Sequence, residues 1–289
     1  MEPMLSSPTI ALTGGAGMIA GTLRPFLHEA GYRTRLIDLV EPAGPLGDNE
    51  TAWVGSVADA VFMERALAGA DAVIHFGGIH REKPWEQILS TNVTGTYVTL
   101  EAARGNGIKK VLLASSTHAV GFRPVSEAGQ DEVLPPRPDT LYGFSKVAME
   151  ALGSLYADKY GMKIVCARIG TGGDRPTNSR SMSTWLSPGD AFRLVEATLS
   201  ELGLPGNHIV WAVSNNTRGW ANLAAGRRIG FEPQDDAEDF CESVDPQMGE
   251  NAPYDDLLGG YWTSENHVLG VDNYPAPNGR DAAKGGLNL

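Results

Sequence analysis

Cysteine is nearly absent: Cys166 and Cys241 are the only two in 289 residues, too few for a disulfide framework or for zinc-ligand spacing. They read as reduced thiols. Basic side chains are also scarce, with 23 Lys and Arg against 35 Asp and Glu and a formal charge of −12. With no basic stripe to neutralise phosphates, nucleic acid and an anionic membrane surface are not expected as partners. No apolar run reaches the roughly 18 residues that a bilayer span needs. Met1-Glu2-Pro3-Met4 does not open a basic segment followed by an apolar stretch, so no secretory signal is expected. Internal repeats and low-complexity tracts are missing too. The expectation is a soluble, cytoplasmic chain, and its hydrophobic content of 42% is ample for a buried core.

The acidity is uneven, since residues 231–289 hold 13 acidic and 2 basic side chains and the remainder is close to neutral. Upstream, short apolar or β-branched runs occur at Thr9–Thr13, Thr34–Leu39, Ala72–Phe76, Lys110–Ser115, Lys163–Ile169 and His208–Val213. They alternate with stretches of three- and four-residue apolar spacing at Met18–Ala30, Ala60–Ala68, Pro84–Arg104, Leu141–Tyr160 and Pro188–Leu202. Gly31, Gly105, Gly107 and Gly161 punctuate the helix ends. This alternation predicts an α/β fold, a Rossmann-like doubly wound parallel sheet with a small C-terminal substrate-binding lobe. Residues 1–170 are expected to form the dinucleotide-binding part and to carry the catalytic residues. Residues 171–289 are expected to add substrate-binding segments and an irregular acidic region, interleaved with the same single domain.

The first strand runs into Gly14-Gly15-Ala16-Gly17-Met18-Ile19-Ala20, which opens a helix. Gly14 allows a tight turn, Gly17 lets backbone approach a pyrophosphate, and Ala20 keeps the helix close to the sheet. A glycine turn can merely connect a strand to a helix. Here Asp38 ends the next strand, 24 residues after Gly14, where a carboxylate accepts hydrogen bonds from ribose hydroxyls and repels a 2′-phosphate. NAD is therefore the expected cofactor. Arg33 and Arg35 on that strand read as surface residues.

Tyr142 and Lys146 are four apart at the start of a helical stretch, which puts them on one face. An ammonium about 4 Å from a phenol, at an effective dielectric near 20, is worth roughly 4 kcal/mol. That would lower the phenol by about three units towards neutrality, where it can act as a base. Such a pair alone is ordinary for an amphipathic helix. Upstream, however, Ser115-Ser116-Thr117-His118 closes a strand at the carboxyl edge where parallel sheets bind ligands, and the combination reads as a hydride-transfer site.

On these residues the chain resembles the short-chain dehydrogenase/reductase superfamily in its extended, sugar-modifying branch. The matching motifs are Thr13-Gly14-Gly15-Ala16-Gly17-Met18-Ile19, His75-Phe76-Gly77-Gly78, Asn92-Val93-Thr94-Gly95-Thr96, Ser115-Ser116 and Tyr142-x-x-x-Lys146. The resemblance implies Tyr142 as general acid/base and Lys146 as its support and a ribose ligand. It implies Ser116 as the group positioning the substrate oxygen and Asn92 as an aid to placing the lysine. The cofactor contacts it implies are Gly14, Gly17, Met18, Ile19, Asp38, Leu39, Ser56, Val57, Phe76, Gly77, Gly78, Asn92, Tyr142, Lys146 and Ile169.

Further segments resemble the uronate dehydrogenases within that branch: Gly77–Leu89, Ser115–His118, Arg168–Gly170, Arg180–Trp185 and Val210-Trp211. That likeness implies NAD-dependent oxidation of C1 of galacturonate or glucuronate to an aldarolactone. His80, Ser116, Thr117, His118, Tyr142 and Arg180 would then contact substrate, with the Arg180 fork fitting the carboxylate. Of three tryptophans able to wall a sugar face, Trp185 and Trp211 fit core packing better, leaving Trp262. No metal is implied, and the family's habit of pairing through its long helices implies a homo-oligomer. Two departures near the substrate widen its choice, and a third weakens an adenine contact without abolishing NAD binding. His80-Arg81 replaces a serine and an apolar residue, Thr117 replaces an asparagine, and Ser56-Val57 replaces an Asp-Leu pair that contacts adenine. A neutral aldose dehydrogenase, an NAD-retaining sugar-nucleotide epimerase and a non-catalytic dinucleotide sensor are the alternatives.

Overall fold

All of β1 (Thr9–Thr13) is buried because Ile10 and Leu12 face one side of a sheet, Ala11 faces the other, and helices cover both. The computed structural model describes residues 7–130, 133–200, 205–244 and 256–272. In it β1 is followed by α1 (Met18–Glu29), β2 (Arg33–Asp38), β3 (Glu50–Val54), α2 (Ala60–Leu67) and β4 (Ala72–His75). Next come α3 (Trp85–Ile88), a π-helical turn (Leu89–Thr94), α4 (Gly95–Gly105), β5 (Lys110–Ser116) and a 3-10 turn (Thr117–Val120). Then follow α5 (Val125–Ala128), α6 (Leu141–Tyr160), β6 (Lys163–Ile169), β7 (Thr171–Gly172), α7 (Ser181–Thr184) and β8 (Trp185–Leu186). The last elements are α8 (Pro188–Leu199), β9 (Gly206–Ala212), α9 (Ala224–Arg228) and 3-10 turns at Ala237–Ser243 and Gly260–Thr263.

Among the described residues the main sheet has seven parallel strands in the order β3-β2-β1-β4-β5-β6-β9. This is the doubly wound sheet expected from the sequence. The order reverses between β1 and β4, and ligands bind beside such a switch point at the strands' carboxyl ends. On one face Leu23, Leu27, Leu194 and Phe231 join Ile10, Leu12, Leu112 and Val210 in one core. On the other, Met63, Leu100, Met149 and Tyr156 join Ala11, Val73, Val111 and Ile164. β9 pairs with β6 from Lys163–Gly206 to Ile169–Ala212, so residues beyond 171 extend the sheet itself.

Two local features differ from the sequence expectation. β3 has no apolar run because it is a half-exposed edge strand. The single helix expected at Pro84–Arg104 is interrupted by the π turn that holds Asn92. Residues 201 and 202, the end of the expected Pro188–Leu202 helix, lie outside the described residues, as do 245–255 and 273–289 of the acidic region. Residues 256–272 return as a strap along the turn after β5. Val125 N donates to Asp256 O (2.8 Å), Leu258 N to Arg123 O (2.9 Å) and Gly259 N to Gly121 O (2.8 Å).

Thr140 Oγ1 accepts from Gly143 N to start α6, and Gly161, at φ 62°, takes the left-handed turn that ends it. The helix is fastened to the sheet by a buried ion pair. Arg168 Nε and Nη2 donate to the two oxygens of Glu150 at 2.8 Å each, and Arg168 Nη1 donates to Leu134 O at 2.9 Å. Ser115 Oγ adds a 2.6 Å bond to Glu150 Oε1. The arginine and glutamate side chains are 1% and 3% exposed. Removing one partner of such a pair leaves a buried charge uncompensated, at about 3–5 kcal/mol. Arg168→Met is therefore expected to lower the unfolding free energy in urea by that amount. A loss below about 1 kcal/mol would show that the pair does not fasten α6.

Candidate active site

The glycine turn is a tight cradle. Gly14 has φ +70°, and a Cβ there would stand 2.8 Å from the Phe76 carbonyl carbon; at Gly15 it would meet Leu36 Cα at 2.9 Å. Gly17 precedes α1, and no side chain caps the helix, so its first amides are left for another partner. Met18 is exposed and Ile19 half-buried beside it. Asp38 is held at the turn, accepting from Ala16 N (2.9 Å) through Oδ2 and from Leu39 N (2.6 Å) through Oδ1. Val57 presses on Gly77 and Gly95, where a Cβ would meet it at 2.9 and 2.8 Å. Ser56 Oγ accepts from Ala58 N at 3.2 Å, and Gly77 N donates to Thr13 Oγ1 at 3.1 Å. The cradle that a side chain would fill, the uncapped amides and the Asp38 carboxylate fit a dinucleotide with its pyrophosphate at the turn. Arg33 and Arg35 take no part. Arg35 lies over the Trp53 ring at 5.2 Å and donates to Ala68 O at 3.1 Å, while Arg33 Nε donates to Ser7 O at 3.0 Å.

At the end of β5 the structure brings the expected catalytic residues together. Ser116 Oγ lies near the Tyr142 phenol, on which it acts to lower the pKa, and accepts from His118 N at 3.2 Å. Lys146 Nζ donates to Ala114 O at 2.6 Å and lies 5.3 Å from the Tyr142 ring centre. Asn92 clasps Ile79, accepting from its N (2.7 Å) and donating to its O (3.0 Å), and donates to Ser145 Oγ at 2.9 Å. It therefore bonds directly to the residue next to Lys146.

The electrostatics correct one expectation. Burial pushes Tyr142 up to about 12, Asp139 adds to the rise, and only Ser116 opposes it. The same burial brings Lys146 down to about 8, so its ammonium is itself disfavoured and does not pull the phenol towards neutrality. His75, wholly buried with Nδ1 2.8 Å from Thr13 Oγ1, is pushed down to about 3 by desolvation and by Lys146.

A cavity of about 190 Å³ opens beside this pair, lined among others by Thr117, His118, Asn178, Arg180, Tyr261 and Trp262. Trp262 stacks on His118 with ring centres 4.1 Å apart and meets Tyr142 edge-on at 5.8 Å. Arg180 Nη2 donates to Leu258 O in the strap. Trp185 and Trp211 are core residues, 3% and 2% exposed. Of the expected substrate contacts, His80 stands apart from the cavity lining. It is exposed and accepts from Arg81 Nε at 3.3 Å, beside the Arg81–Asp272 and Lys83–Asp272 pairs at 3.5 and 3.3 Å.

Two carboxylates escaped the sequence reading. Asp139 is buried against His118, with Oδ2 2.7 Å from Nδ1. Glu82 sits at the amino end of α6, accepting from Tyr142 N (2.8 Å), Leu141 N (3.3 Å) and Gly270 N (2.8 Å). Its negative charge complements the helix dipole and ties α6 to the strap. Asp139-Thr140 ahead of a helix carried a capping signal; Glu82 carried none beyond its place in the Glu82-Lys83-Pro84 segment.

Residues 10–184 match the NAD dependent epimerase/dehydratase family, and the chain belongs to that family. It is similar to the uronate dehydrogenase of Pseudomonas syringae pv. tomato, 40% identical over 238 residues that cover 82% of this chain and 86% of that protein. Among solved structures it is similar to a uronate dehydrogenase from Agrobacterium tumefaciens, a mutant complexed with NAD. The TM-score is 0.83 at 34% identity, covering 91% of this chain and 99% of that one. A glucuronic acid dehydrogenase from Chromohalobacter salexigens gives 0.83 at 34%, covering 90% and 98%. The extended-branch resemblance and its uronate dehydrogenase likeness are thereby borne out.

The depressed Lys146 has a consequence for stability. Its folded pKa lies below its unfolded value, so the native state holds fewer protons between about 8 and 10.5. The penalty is full below about 8 and is relieved as pH rises towards 10.5. In urea unfolding, the wild type is expected to gain roughly 2–3 kcal/mol on Lys146→Met over that interval. A difference that does not vary with pH would mean that Lys146 is not desolvated.

Proposed function

We propose that this chain oxidises the C1 hydroxyl of a sugar acid such as galacturonate or glucuronate to its aldarolactone, using NAD. The observation that carries the reading is a monosaccharide-sized cavity that runs from Thr117 and His118, next to Ser116 and Tyr142, to Arg180. Pockets for drug-sized ligands span roughly 300–1,000 Å³, so about 190 Å³ suits one sugar ring and not a sugar nucleotide. This weighs against the epimerase alternative. An intact Ser116, Tyr142 and Lys146 weigh against a sensor, which needs no base. Arg180 weighs against a neutral aldose, since a guanidinium fork in the cavity lining fits a substrate carboxylate.

Gly14, Gly17, Met18, Ile19, Asp38, Leu39, Ser56, Val57, Phe76, Gly77, Gly78, Asn92, Tyr142, Lys146 and Ile169 are the residues we assign to the cofactor. Bound there, NAD supplies the hydride acceptor. Ser116 holds the C1 hydroxyl, Tyr142 as phenolate takes its proton, and Lys146 holds the nicotinamide ribose. Arg180 grips the far carboxylate, and Thr117, His118 and Trp262 orient the ring, while His80, outside the cavity lining, takes no part. Holding C1 in line supplies much of the rate, with no covalent intermediate. Burial raises the phenol, so the base form grows with alkalinity. Oxidation is therefore expected to speed up from neutral to alkaline pH.

NADH release measured with galacturonate, glucuronate, galactose and glucose tests the reading. The uronates are expected to be preferred strongly, and Tyr142→Phe is expected to lose on the order of a thousandfold. Equal rates on the neutral sugars would overturn the acid assignment, and a Tyr142→Phe enzyme within about tenfold of wild type would remove the base.

No helix among the described residues is long and apolar enough to cross a membrane. We place the protein in the cytoplasm, in keeping with the free thiols of Cys166 and Cys241. We also assign it a homo-oligomer that pairs through α4 and α6, on which Tyr97, Phe144 and Leu155 are exposed apolar side chains. Light scattering on the purified protein is expected to give a multiple of the 30.8 kDa chain mass, and a monomer would refute the pairing.

A further inference from the structure

Asp139 lies two residues ahead of the catalytic helix, and its carboxylate is wholly out of solvent. Three glycines from three elements press on it. A Cβ on Gly121 would stand 1.9 Å from Asp139 Oδ2, one on Gly259 2.1 Å from the same oxygen, and one on Gly143 2.9 Å from Oδ1. The turn after β5, the strap and α6 therefore meet on this carboxylate, and nothing larger than aspartate fits the socket. Its two oxygens are differentiated. Oδ1 accepts from Thr140 Oγ1 at 2.9 Å, and Thr140 Oγ1 in turn accepts from Gly143 N at 2.9 Å, so the hydroxyl proton must point at Asp139. Oδ2 faces His118 Nδ1 at 2.7 Å.

An ionised carboxylate offers no proton, so the hydrogen in that last bond belongs to Nδ1. His118 then keeps a bare Nε2, and its ring is locked between Trp262, stacked at 4.1 Å, and the edge of Tyr142 at 5.9 Å. His118 lines the same cavity as Arg180. We propose that Asp139 is a positioning residue for sugar recognition: through Nδ1 it sets the tautomer of His118, so that Nε2 accepts a hydrogen bond from a ring hydroxyl of the sugar acid. Arg180 takes the carboxylate, and His118 reads a hydroxyl. This rests on the function proposed above for the sugar, but the tautomer itself does not.

Asp139→Asn keeps the shape and reverses the chemistry. The amide oxygen must stay on the Thr140 hydroxyl, so the amide NH₂ turns to Nδ1 and moves the ring hydrogen to Nε2. Nitrogen-15 spectra of labelled imidazole at alkaline pH are expected to show Nδ1–H in the wild type and Nε2–H in the variant. Nε2–H in the neutral wild-type ring overturns the proposal whether or not any variant folds. In kinetics, Asp139→Asn and His118→Ala are each expected to raise KM for galacturonate about tenfold, with kcat and the KM for NAD moving much less. The double variant is expected to be no worse than His118→Ala alone. Additive effects, or a loss confined to kcat, overturn it. A wild type idle on both uronates sinks the proposed function, while the spectra still decide the role of Asp139.

Discussion

A glutamate and an arginine almost wholly out of water hold α6 to the sheet. Glu150 lies four residues beyond Lys146 and eight beyond Tyr142, so all three share the stripe of α6 that faces inward. The anchor and the reacting pair therefore cannot be moved independently. A turn of the helix that shifted the phenol away from Ser116 would pull Glu150 off Arg168 and off Ser115. Replacing such a pair by apolar residues is often neutral for stability, so its value here is geometric. Glu82 does the same for the other end, receiving the backbone amides of Leu141 and Tyr142.

The site built on that helix is electrostatically frustrated. Burial drives Tyr142 up and Lys146 and His75 down, each against its charged form. The phenol of Tyr142 and the imidazole of His75 are thereby held in their neutral forms near neutral pH, while Lys146 is brought closer to losing its proton. The arrangement agrees with the pattern that perturbed groups gather where function is.

The glycine turn, Asp38, the Tyr142–Lys146 spacing and the serines closing β5 were legible because each is a short-range pattern: a conformation only glycine adopts, a strand end, one helical turn. The doubly wound sheet was legible because β1, β4, β5 and β6 are apolar on both faces. β3 was not, since a half-exposed edge strand carries no such run. The π turn at Leu89–Thr94 leaves no mark in apolar spacing, and it is Asn92's bonds to Ile79 and Ser145 that explain it. The field of Lys146 was misjudged because a pairwise charge argument omits desolvation, which dominates here. Asp139 and Glu82 were invisible for another reason. Their partners lie 21 and about 60 residues away, and neighbouring letters say nothing of such meetings.

The strap has a meaning for how the protein comes into being. Trp262 follows Tyr142 by 120 residues, and at about 5–20 residues per second a ribosome takes on the order of ten seconds to travel between them. Within that interval Arg168 and β9 are also made, so the anchor of α6 and the edge of the sheet are synthesised before the cavity beside Thr117 and His118 gains Trp262. The glycine turn is thus synthesised well before the aromatic wall that stacks on His118.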